Sequence, residues 1–362
     1  MFYGSSVAMG QRMGIMIELL SAERIQSAKS AYTTRRAGQS RMQRLILDAS
    51  PKSGDLVLAR VIEIQQHKRI ELPGSRMSSL FRGDEIIVAY GNRYAPDQFE
   101  AEVPATLEEC HLVAGGGVAS TVVSSHTDLD PPTKIQPIGL IADIDGRVLN
   151  LSESGLPVLP YQTTRPPVIG VVGTAMNAGK TTTAAYLIHG MSRAGRTVGA
   201  AKVTGTGAGK DLWLMRDAGA AAAYDFTDAG VPTTYRLPDQ EIERIMTRLV
   251  DHLAHDGAEI IVLEIADGLF HHETSTLLTS PTGRRTLDAV VFAAGDAMGA
   301  ACGVDWLRER KLPVRAVSGV LTASPLAIRE AAEMCGLPVL DLEALSEVSI
   351  ADRLLGRSRV AA

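Results

Sequence analysis

Residues 168–184 constrain the fold of this chain more than any other segment. They read VIGVVGTAMNAGKTTTA, an apolar run that ends in a glycine-containing turn and a Gly-Lys-Thr triplet. A loop of this kind, between a buried strand and a helix, surrounds an anion with backbone N–H groups. Its lysine reaches the β- and γ-phosphates of a nucleotide, and the hydroxyl that follows ligates Mg²⁺. The sequence therefore predicts a phosphate-binding loop with Lys180 as a catalytic residue and Thr181 as a metal ligand.

The glycine spacing of this loop departs from the usual GxxxxGK[ST] pattern. Thr174 stands where the pattern has its first glycine, and Gly173 comes one residue earlier. The strand-like run before the loop and the helix-compatible stretch 182–193 after it favour a phosphate loop over a plain strand–turn–helix corner. The predicted nucleotide-binding residues of the loop are Gly173, Thr174, Met176, Asn177, Ala178, Gly179, Lys180, Thr181 and Thr182.

The composition is that of an ordinary globular protein and gives no global electrostatic reason for nucleic-acid binding. The 362 residues are 45% hydrophobic and 21% charged, with a formal net charge of −5, and a chain of this length suits two domains. Cys110, Cys302 and Cys335 lie far apart without metal-ligand spacing, as expected in a reducing compartment. No apolar run approaches the ~18 residues of a membrane span. We expect a cytoplasmic protein without a membrane segment.

The character of the sequence changes three times along the chain, which predicts four segments. Residues 1–50 are locally basic and helix-compatible, so we expect a basic helical arm that is either solvated or in contact with nucleic acid or an acidic partner. Residues 51–156 are rich in short strands and turns, which is typical of a small barrel or sandwich. A Pro- and Thr-rich linker at 157–167 leads into a predicted phosphate-loop domain at 168–362.

Two features of the β-rich segment have alternative interpretations. The polar, aromatic stretch 90–99, YGNRYAPDQF, is either a recognition loop or a well-packed turn. The triplet Gly115-Gly116-Gly117 requires either unusual backbone angles or the close approach of another segment. The predicted strands of this segment are 56–64, 85–90 and 139–144.

From residue 168 onward, strand-like and amphipathic segments alternate. The predicted strands are 168–173, 196–203, 258–265, 288–294, 313–321 and 337–341. The predicted helices are 180–193, 238–255, 302–311 and 325–335. Such alternation gives right-handed βαβ units and a mostly parallel, doubly wound α/β sheet. Because ligands of this architecture bind beyond the carboxyl ends of the strands, residues that follow strands are the candidate site residues.

Two of those strand ends carry the charged groups that phosphoryl transfer needs. Lys202 ends the second strand, where a cation stabilises the γ-phosphate; the alternative is a flexible loop whose lysines face water. Glu264 ends the third strand and is predicted to bind Mg²⁺ or to activate a nucleophile, in preference to Asp267. Asp211 is a further candidate metal ligand, although Asp217 and Asp225 follow at similar intervals.

Further residues near the strand ends are candidates for substrate and nucleotide contacts. One of His271 and His272 is expected to contact substrate, since adjacent histidines rarely ligate one zinc ion. Thr322 and Ser324 follow the fifth strand, where they are placed to contact the base or ribose; helix capping by Ser324 explains the second of them equally well. No Asn-Lys-x-Asp run reads guanine in this sequence, which favours ATP over GTP.

Together these motifs resemble the dethiobiotin synthetase-like branch of the SIMIBI class of P-loop NTPases. That family has a Gly-Thr-x-x-x-x-Gly-Lys-Thr loop, matched from Gly173-Thr174 through Gly179-Lys180-Thr181, and a Lys-Pro-x-x-Thr-Gly run, echoed by the segment 202–205. Its Val-Glu-Gly-Ala-Gly-Gly run is echoed by the segment 263–268. The resemblance implies that Lys180 and Lys202 hold the transferring phosphate, and that Thr181 and Glu264 serve Mg²⁺.

Two other families share parts of the pattern. The segment 209–220, GKDLWLMRDAGA, is similar to a stretch of molybdopterin-guanine dinucleotide accessory proteins, and the layout with a separate N-terminal domain resembles the DUF1611 family. These resemblances cover at most residues 168–341. They imply the class of domain and leave its reaction open.

The leading hypothesis is an ATP- and Mg²⁺-dependent enzyme, expected to be a homodimer, that phosphorylates or ligates a small acidic substrate. One alternative is a polynucleotide kinase or nucleic-acid-linked NTPase, with the arm and the β-rich domain holding the strand. Another is a nucleotide-switched chaperone or assembly factor.

Overall fold

A nine-stranded and a six-stranded β-sheet follow one another along the chain in the computed structural model, which describes residues 16–160 and 164–356. The strands before residue 143 are β1 (Ile17–Leu19), β2 (Lys29–Ser30), β3 (Arg44–Ile46), β4 (Leu56–Glu63), β5 (Arg69–Glu71), β6 (Met77–Ser79), β7 (Glu85–Tyr90), β8 (Phe99–Glu102), β9 (Cys110–Ala114), β10 (Val118–Ser125) and β11 (Thr133–Ala142). Strands β4, β7, β10, β9 and β11 pair in a closed ring. A closed ring is the arrangement of a small barrel, whereas a sandwich would leave two separate sheets.

The prediction of a basic helical arm at 1–50 is wrong for its described part, residues 16–50. Strands β1 and β3 extend the barrel sheet beyond β11, and the one α-helix of this described part is α1 (Ala22–Ser27). The basic side chains are held by carboxylates of the same chain, as in Arg24 with Glu85 at 2.8 Å and Arg41 with Glu153 at 2.7 Å. Long-range strand pairing and ion pairing therefore override the local helical pattern. Residues 1–15 lie outside the described residues.

A parallel sheet forms the second half and confirms the predicted α/β class. Its strands are β12 (Val168–Gly173), β13 (Val198–Lys202), β14 (Ala222–Asp225), β15 (Ile260–Glu264), β16 (Ala289–Ala293) and β17 (Val314–Ser318). They lie in the order β14-β13-β15-β12-β16-β17, with every neighbouring pair parallel. The predicted strand 337–341 is not formed, because Pro338 has no N–H to donate and only Val339 makes a bridge, to Val317.

Helices cover both faces of this parallel sheet. They are α2 (Lys180–Arg193), α3 (Lys210–Asp217), α4 (Asp239–His255), α5 (His272–Thr279), α6 (Pro281–Thr286), α7 (Ala297–Glu309), α8 (Pro325–Cys335), α9 (Leu342–Leu345) and α10 (Ile350–Leu355). The side chains of β12 alternate between two cores: Val168 and Val172 face one, and Ile169 and Val171 face the other. A strand that is apolar on both faces must lie inside the sheet, which fixes the phosphate loop at its centre.

The barrel and the parallel sheet meet through backbone contact. A Cβ added at Gly116, in the turn between β9 and β10, would overlap the carbonyl oxygen of Gly207 in the loop after β13. The same turn contains Gly117 at φ +98°, so the triplet has both properties that its sequence allowed. Close approach of this kind brings the barrel to the carboxyl end of the parallel sheet, where the candidate site lies.

Candidate functional site

The phosphate loop ends at the first residue of α2. Gly179 lies at φ +96°, a left-handed conformation that favours glycine, and it turns the chain so that Lys180 opens the helix. The Lys180 side chain is buried, and its Nζ donates a hydrogen bond of 2.7 Å to the carbonyl oxygen of Ala175. The Lys180 side chain therefore extends from the start of α2 back to the phosphate loop. Burial lowers the pKa of Lys180, although Glu264 and Asp267 favour its charged form.

A hydroxyl from helix α2 and a carboxylate from strand β15 meet beside the loop. The Thr181 hydroxyl donates a hydrogen bond of 2.9 Å to Oε1 of Glu264 at the end of β15. The other oxygen, Oε2, is buried and has no hydrogen-bond partner among the described residues. Burial raises the pKa of Glu264, while Lys202 acts in the opposite direction. A hydroxyl plus one carboxylate with a free oxygen fits Mg²⁺, which binds proteins through one or two carboxylates together with waters and phosphates.

Lys202 and Asp211 form an ion pair next to this carboxylate. The Lys202 ammonium contacts the Asp211 carboxylate and lies 3.9 Å from Oε1 of Glu264. Burial alone would lower the pKa of Lys202, but the two carboxylates outweigh it and raise the pKa. Lys202 therefore lies beside the phosphate loop, and its side chain is 15% exposed rather than facing water. Asp211 is bound to Lys202, so a metal ligand role would require this pair to open.

The loop between β7 and β8, residues 91–98, reaches the phosphate loop from the barrel; we call it the barrel loop. Its Asp97 accepts a hydrogen bond of 2.9 Å from the Asn177 side chain. Asn177 itself lies at φ +62°. The second oxygen of Asp97, Oδ1, is buried without a partner among the described residues. The stretch for which the sequence leaves a recognition loop and a well-packed turn as alternatives thus lies beside the phosphate loop.

Asp267, the less favoured carboxylate in the sequence, lies in the same site. Burial raises its pKa, against the influence of Lys180 and Lys202. Together with Met176 and Lys202, it lines a cavity of about 340 Å³ between the phosphate loop and the barrel. We call this cavity the interdomain pocket. Several of its barrel residues carry no local sequence signal that connects them with a phosphate loop, because they are distant along the chain.

The two adjacent histidines have different environments. The side chain of His271 is 9% exposed; its Nδ1 lies 3.1 Å from Glu273 and its ring centroid 4.3 Å from that of Tyr94. The His272 side chain is 72% exposed and pairs with Asp239 at 3.2 Å. Of the two, His271 is therefore the one directed towards the barrel loop.

A second cavity, of about 420 Å³, lies on the other side of the phosphate loop. Gly179, Thr182 and Thr322 line it, so the structure brings these three predicted nucleotide-binding residues together. Ser324 instead accepts a hydrogen bond from the backbone N–H of Ala327 at 3.4 Å and caps α8. Capping therefore accounts for the serine, as one of the two interpretations stated.

No protein-family model matches this chain, and no curated protein does. Similar solved structures include the signal recognition particle 54 kDa protein from Aeropyrum pernix K1 in complex with GDP, at TM-score 0.37 and 22% identity over 54% of this chain and 47% of that one. The signal recognition particle receptor FtsY from Elizabethkingia anophelis in complex with GDP has TM-score 0.34 and 16% identity over 54% of this chain and 56% of that one. The cell division protein FtsY from Thermotoga maritima has TM-score 0.34 and 17% identity, over 55% and 71%.

This chain thus spans about half the length of the first two of these structures. A likeness at such scores assigns neither a function nor a family, and the fold described above rests on this chain's own sheet order and strand register. No helix among residues 16–160 and 164–356 is both long and apolar enough to cross a membrane.

Proposed function

We propose that this chain is a Mg²⁺-dependent enzyme that transfers the γ-phosphate of ATP to a small acidic substrate, or ligates that substrate at the expense of ATP. The observation that carries the proposal is the Thr181–Glu264 contact of 2.9 Å with its free Glu264 oxygen. In this proposal Thr181 and Glu264 hold Mg²⁺, directly or through water. An ion held there would supply positive charge that offsets the negative charge developing on the nucleotide phosphates.

The two lysines have distinct roles in this proposal. Lys180 leaves the Ala175 carbonyl and binds the β- and γ-phosphates when they enter the loop. Lys202 approaches from the neighbouring strand and stabilises the transferring group, since a positioned cation in a site with little water lowers the energy of a charged transition state. Phosphate transfer then proceeds from the loop towards the interdomain pocket, where the acceptor is held.

The test is nucleotide turnover measured with and without Mg²⁺ and in the presence of candidate acids. We expect Mg²⁺-dependent ATP turnover that Lys180→Ala reduces by about two orders of magnitude or more, comparable to the loss of one electrostatic stabiliser. Lys52→Ala, at an exposed lysine of the barrel, is the matched control and retains activity. Full turnover by the Lys180 variant contradicts the proposal. Parallel titrations with ATP and GTP decide the base.

A further inference from the structure

The interdomain pocket contains a buried cation that the proposed chemistry does not use. Arg93 belongs to the barrel loop, is 6% exposed and lines the pocket together with Lys202. Its Nη2 donates a hydrogen bond of 2.7 Å to Oε1 of Gln98. Its Nε and Nη1 are buried and have no hydrogen-bond partner among the described residues. Buried arginines are normally paired with anions, so these free donors need an explanation.

The side chains around Arg93 do not supply that anion. Burial and the charge of Arg93 lower the pKa of His67 to about 3, so the histidine at the pocket wall is neutral. Asp97 and Asp267 act on the guanidinium electrostatically, yet burial still lowers the pKa of Arg93 to about 10. Asp97 accepts from Asn177 through Oδ2 and its Oδ1 has no hydrogen-bond partner among the described residues, so neither of its oxygens bonds to Arg93. The cation is therefore incompletely compensated by the chain itself.

Among the charges that line the pocket, Lys202 is already paired with Asp211, whereas the Nε and Nη1 donors of Arg93 have no hydrogen-bond partner among the described residues. The described cationic residues of the pocket are Arg93, Lys202 and Lys210, and its carboxylates are Glu71 and Asp267. Glu71 already accepts a backbone hydrogen bond of 2.9 Å. The volume of about 340 Å³ is at the lower end for small-molecule sites. Such a pocket suits a compact acid and excludes a polymer.

We propose that Arg93 anchors the carboxylate of a small organic acid in the interdomain pocket, with the rest of the molecule directed towards Met176 and Lys202 at the phosphate loop. Arginine is the side chain best matched to a planar carboxylate. Gln98 occupies one N–H group of Nη2. Because Nε and Nη1 lie on different edges of the guanidinium, the carboxylate binds at one of these two free donors. The inference rests on the proposed function for the role of this acid as acceptor, whereas the binding step itself does not require a nucleotide.

The test compares carboxylates with neutral molecules of the same shape. Wild-type protein is titrated calorimetrically with butyrate, succinate and glutarate, and with butyramide, succinamide and glutaramide. At least one acid is expected to bind more tightly than its amide. Arg93→Met keeps the approximate length of the side chain and removes its charge. It is expected to lower the affinity for that acid by about 30-fold or more, as when one partner of a buried charge pair is truncated in other proteins. Arg93→Lys is expected to bind with intermediate affinity.

A second variant keeps the test decisive if Arg93→Met does not fold. Ala208→Leu adds a larger side chain to the pocket lining from the loop after β13 and is expected to block the acid while Arg93 stays in place. Lys52→Met, away from the pocket, serves as the control. Equal binding of the acid by wild type and both variants overturns the inference, as does binding of amides and acids alike or of no acid at all. Preference for methyl phosphate over every carboxylate also overturns it.

Nucleotide titrations separate this inference from the proposed function. If ATP binds and Lys180→Ala abolishes that binding, while the affinity for acids is the same with and without Arg93, only the inference fails. If the binding of acids depends on Arg93 but Lys180→Ala leaves ATP turnover intact, only the proposed function fails.

Discussion

Glu264 illustrates how one residue links the strand pattern to metal chemistry. It ends a fully buried strand, and its two oxygens have different roles, because Oε1 accepts from Thr181 and Oε2 remains free. Its position was predictable, since a carboxylate that follows an apolar run must emerge at the carboxyl edge of the sheet. Its free oxygen was not, because this depends on the orientation of the neighbouring strand and helix.

Replacing Glu264 by glutamine removes the negative charge and keeps the shape. We expect Glu264→Gln to raise the Mg²⁺ concentration needed for half-maximal ATP turnover by at least tenfold, because a carboxylate is a far better ligand of Mg²⁺ than an amide. The measurement is turnover across a Mg²⁺ titration. Glu333→Gln, at an exposed residue of α8, should behave as wild type; an unchanged Mg²⁺ requirement for the Glu264 variant would remove this residue from the metal site.

The protonation of Glu264 gives the metal site a pH dependence. Only the ionised carboxylate binds Mg²⁺, and burial raises the pKa of Glu264 above that of an ordinary glutamate. Mg²⁺ affinity should therefore weaken on acidification at a higher pH than an exposed glutamate would give, and level off above that pKa. Calorimetric Mg²⁺ titrations in the presence of nucleotide, repeated from pH 4.5 to 8, measure this. A wild-type profile as flat as that of Glu264→Gln would contradict the assignment.

At the scale of elements, the sequence pattern predicts the long, regular segments best. Strand β12 and helix α2 begin and end where the periodicity places them, at Val168–Gly173 and Lys180–Arg193. By contrast, β14 is a four-residue edge strand, Ala222–Asp225, whose small residues give little strand signal. Helix α7 begins at Ala297, earlier than residue 302, since Asp296 caps it. Short edges and caps depend on tertiary contacts that local periodicity does not contain.

The contact between α7 and the sheet depends on Gly303. A Cβ at this position would overlap the ring of Phe292 in β16. Alanine favours a helix by about 1 kcal/mol over glycine, but overpacking of a core costs about 1–3 kcal/mol. We expect Gly303→Ala to lower the free energy of unfolding, measured by urea denaturation.

Two further variants control this prediction. Cys302→Ala, at the exposed neighbouring position, should leave the free energy of unfolding nearly unchanged. Phe292→Leu combined with Gly303→Ala should be less destabilised than the sum of the single changes, because the smaller side chain makes room. A Gly303→Ala protein more stable than wild type would show that the helix can move away from the sheet without loss.

The whole molecule is held together by buried ion pairs as well as by backbone contact. Arg35, from the segment between β2 and β3, lies 2.7 Å from Asp228 and 3.4 Å from Asp225. The Tyr32 hydroxyl donates a hydrogen bond of 2.6 Å to Asp225. The local basic pattern predicted a helical arm that is either solvated or in contact with nucleic acid or an acidic partner. The partners observed explain why the helical arm is wrong: the carboxylates are nearly two hundred residues away along the chain. For the same reason Arg93 could not be assigned to the site from sequence.

Removing Arg35 should leave the buried Asp225 without its cationic partner and Asp228 with Arg36 alone, at 3.4 Å. We expect Arg35→Met to destabilise the protein by about 3–5 kcal/mol at neutral pH, in urea denaturation. Arg41→Met, which removes a surface pair with Glu153, should cost about 1 kcal/mol or less. Burial already raises the pKa of Asp228, so the loss in the Arg35 variant should shrink as pH falls through that pKa and the carboxyl becomes neutral. Equal destabilisation by the two variants would show that the buried ion pair contributes no more to the free energy of unfolding than the surface pair does.

The backbone contact between Gly116 and Gly207 also limits how such a chain can change over generations. A Cβ at Gly116 would overlap the Gly207 backbone, and a Cβ at Gly207 would overlap the Thr33 side chain of the first half, so neither position can gain a side chain alone. A barrel exchanged for one from a distant relative would bring its own turn against Gly207 and displace the barrel loop from the phosphate loop. We therefore expect related proteins to keep the two halves together, with correlated substitutions on the two sides of the contact between Gly116 and Gly207.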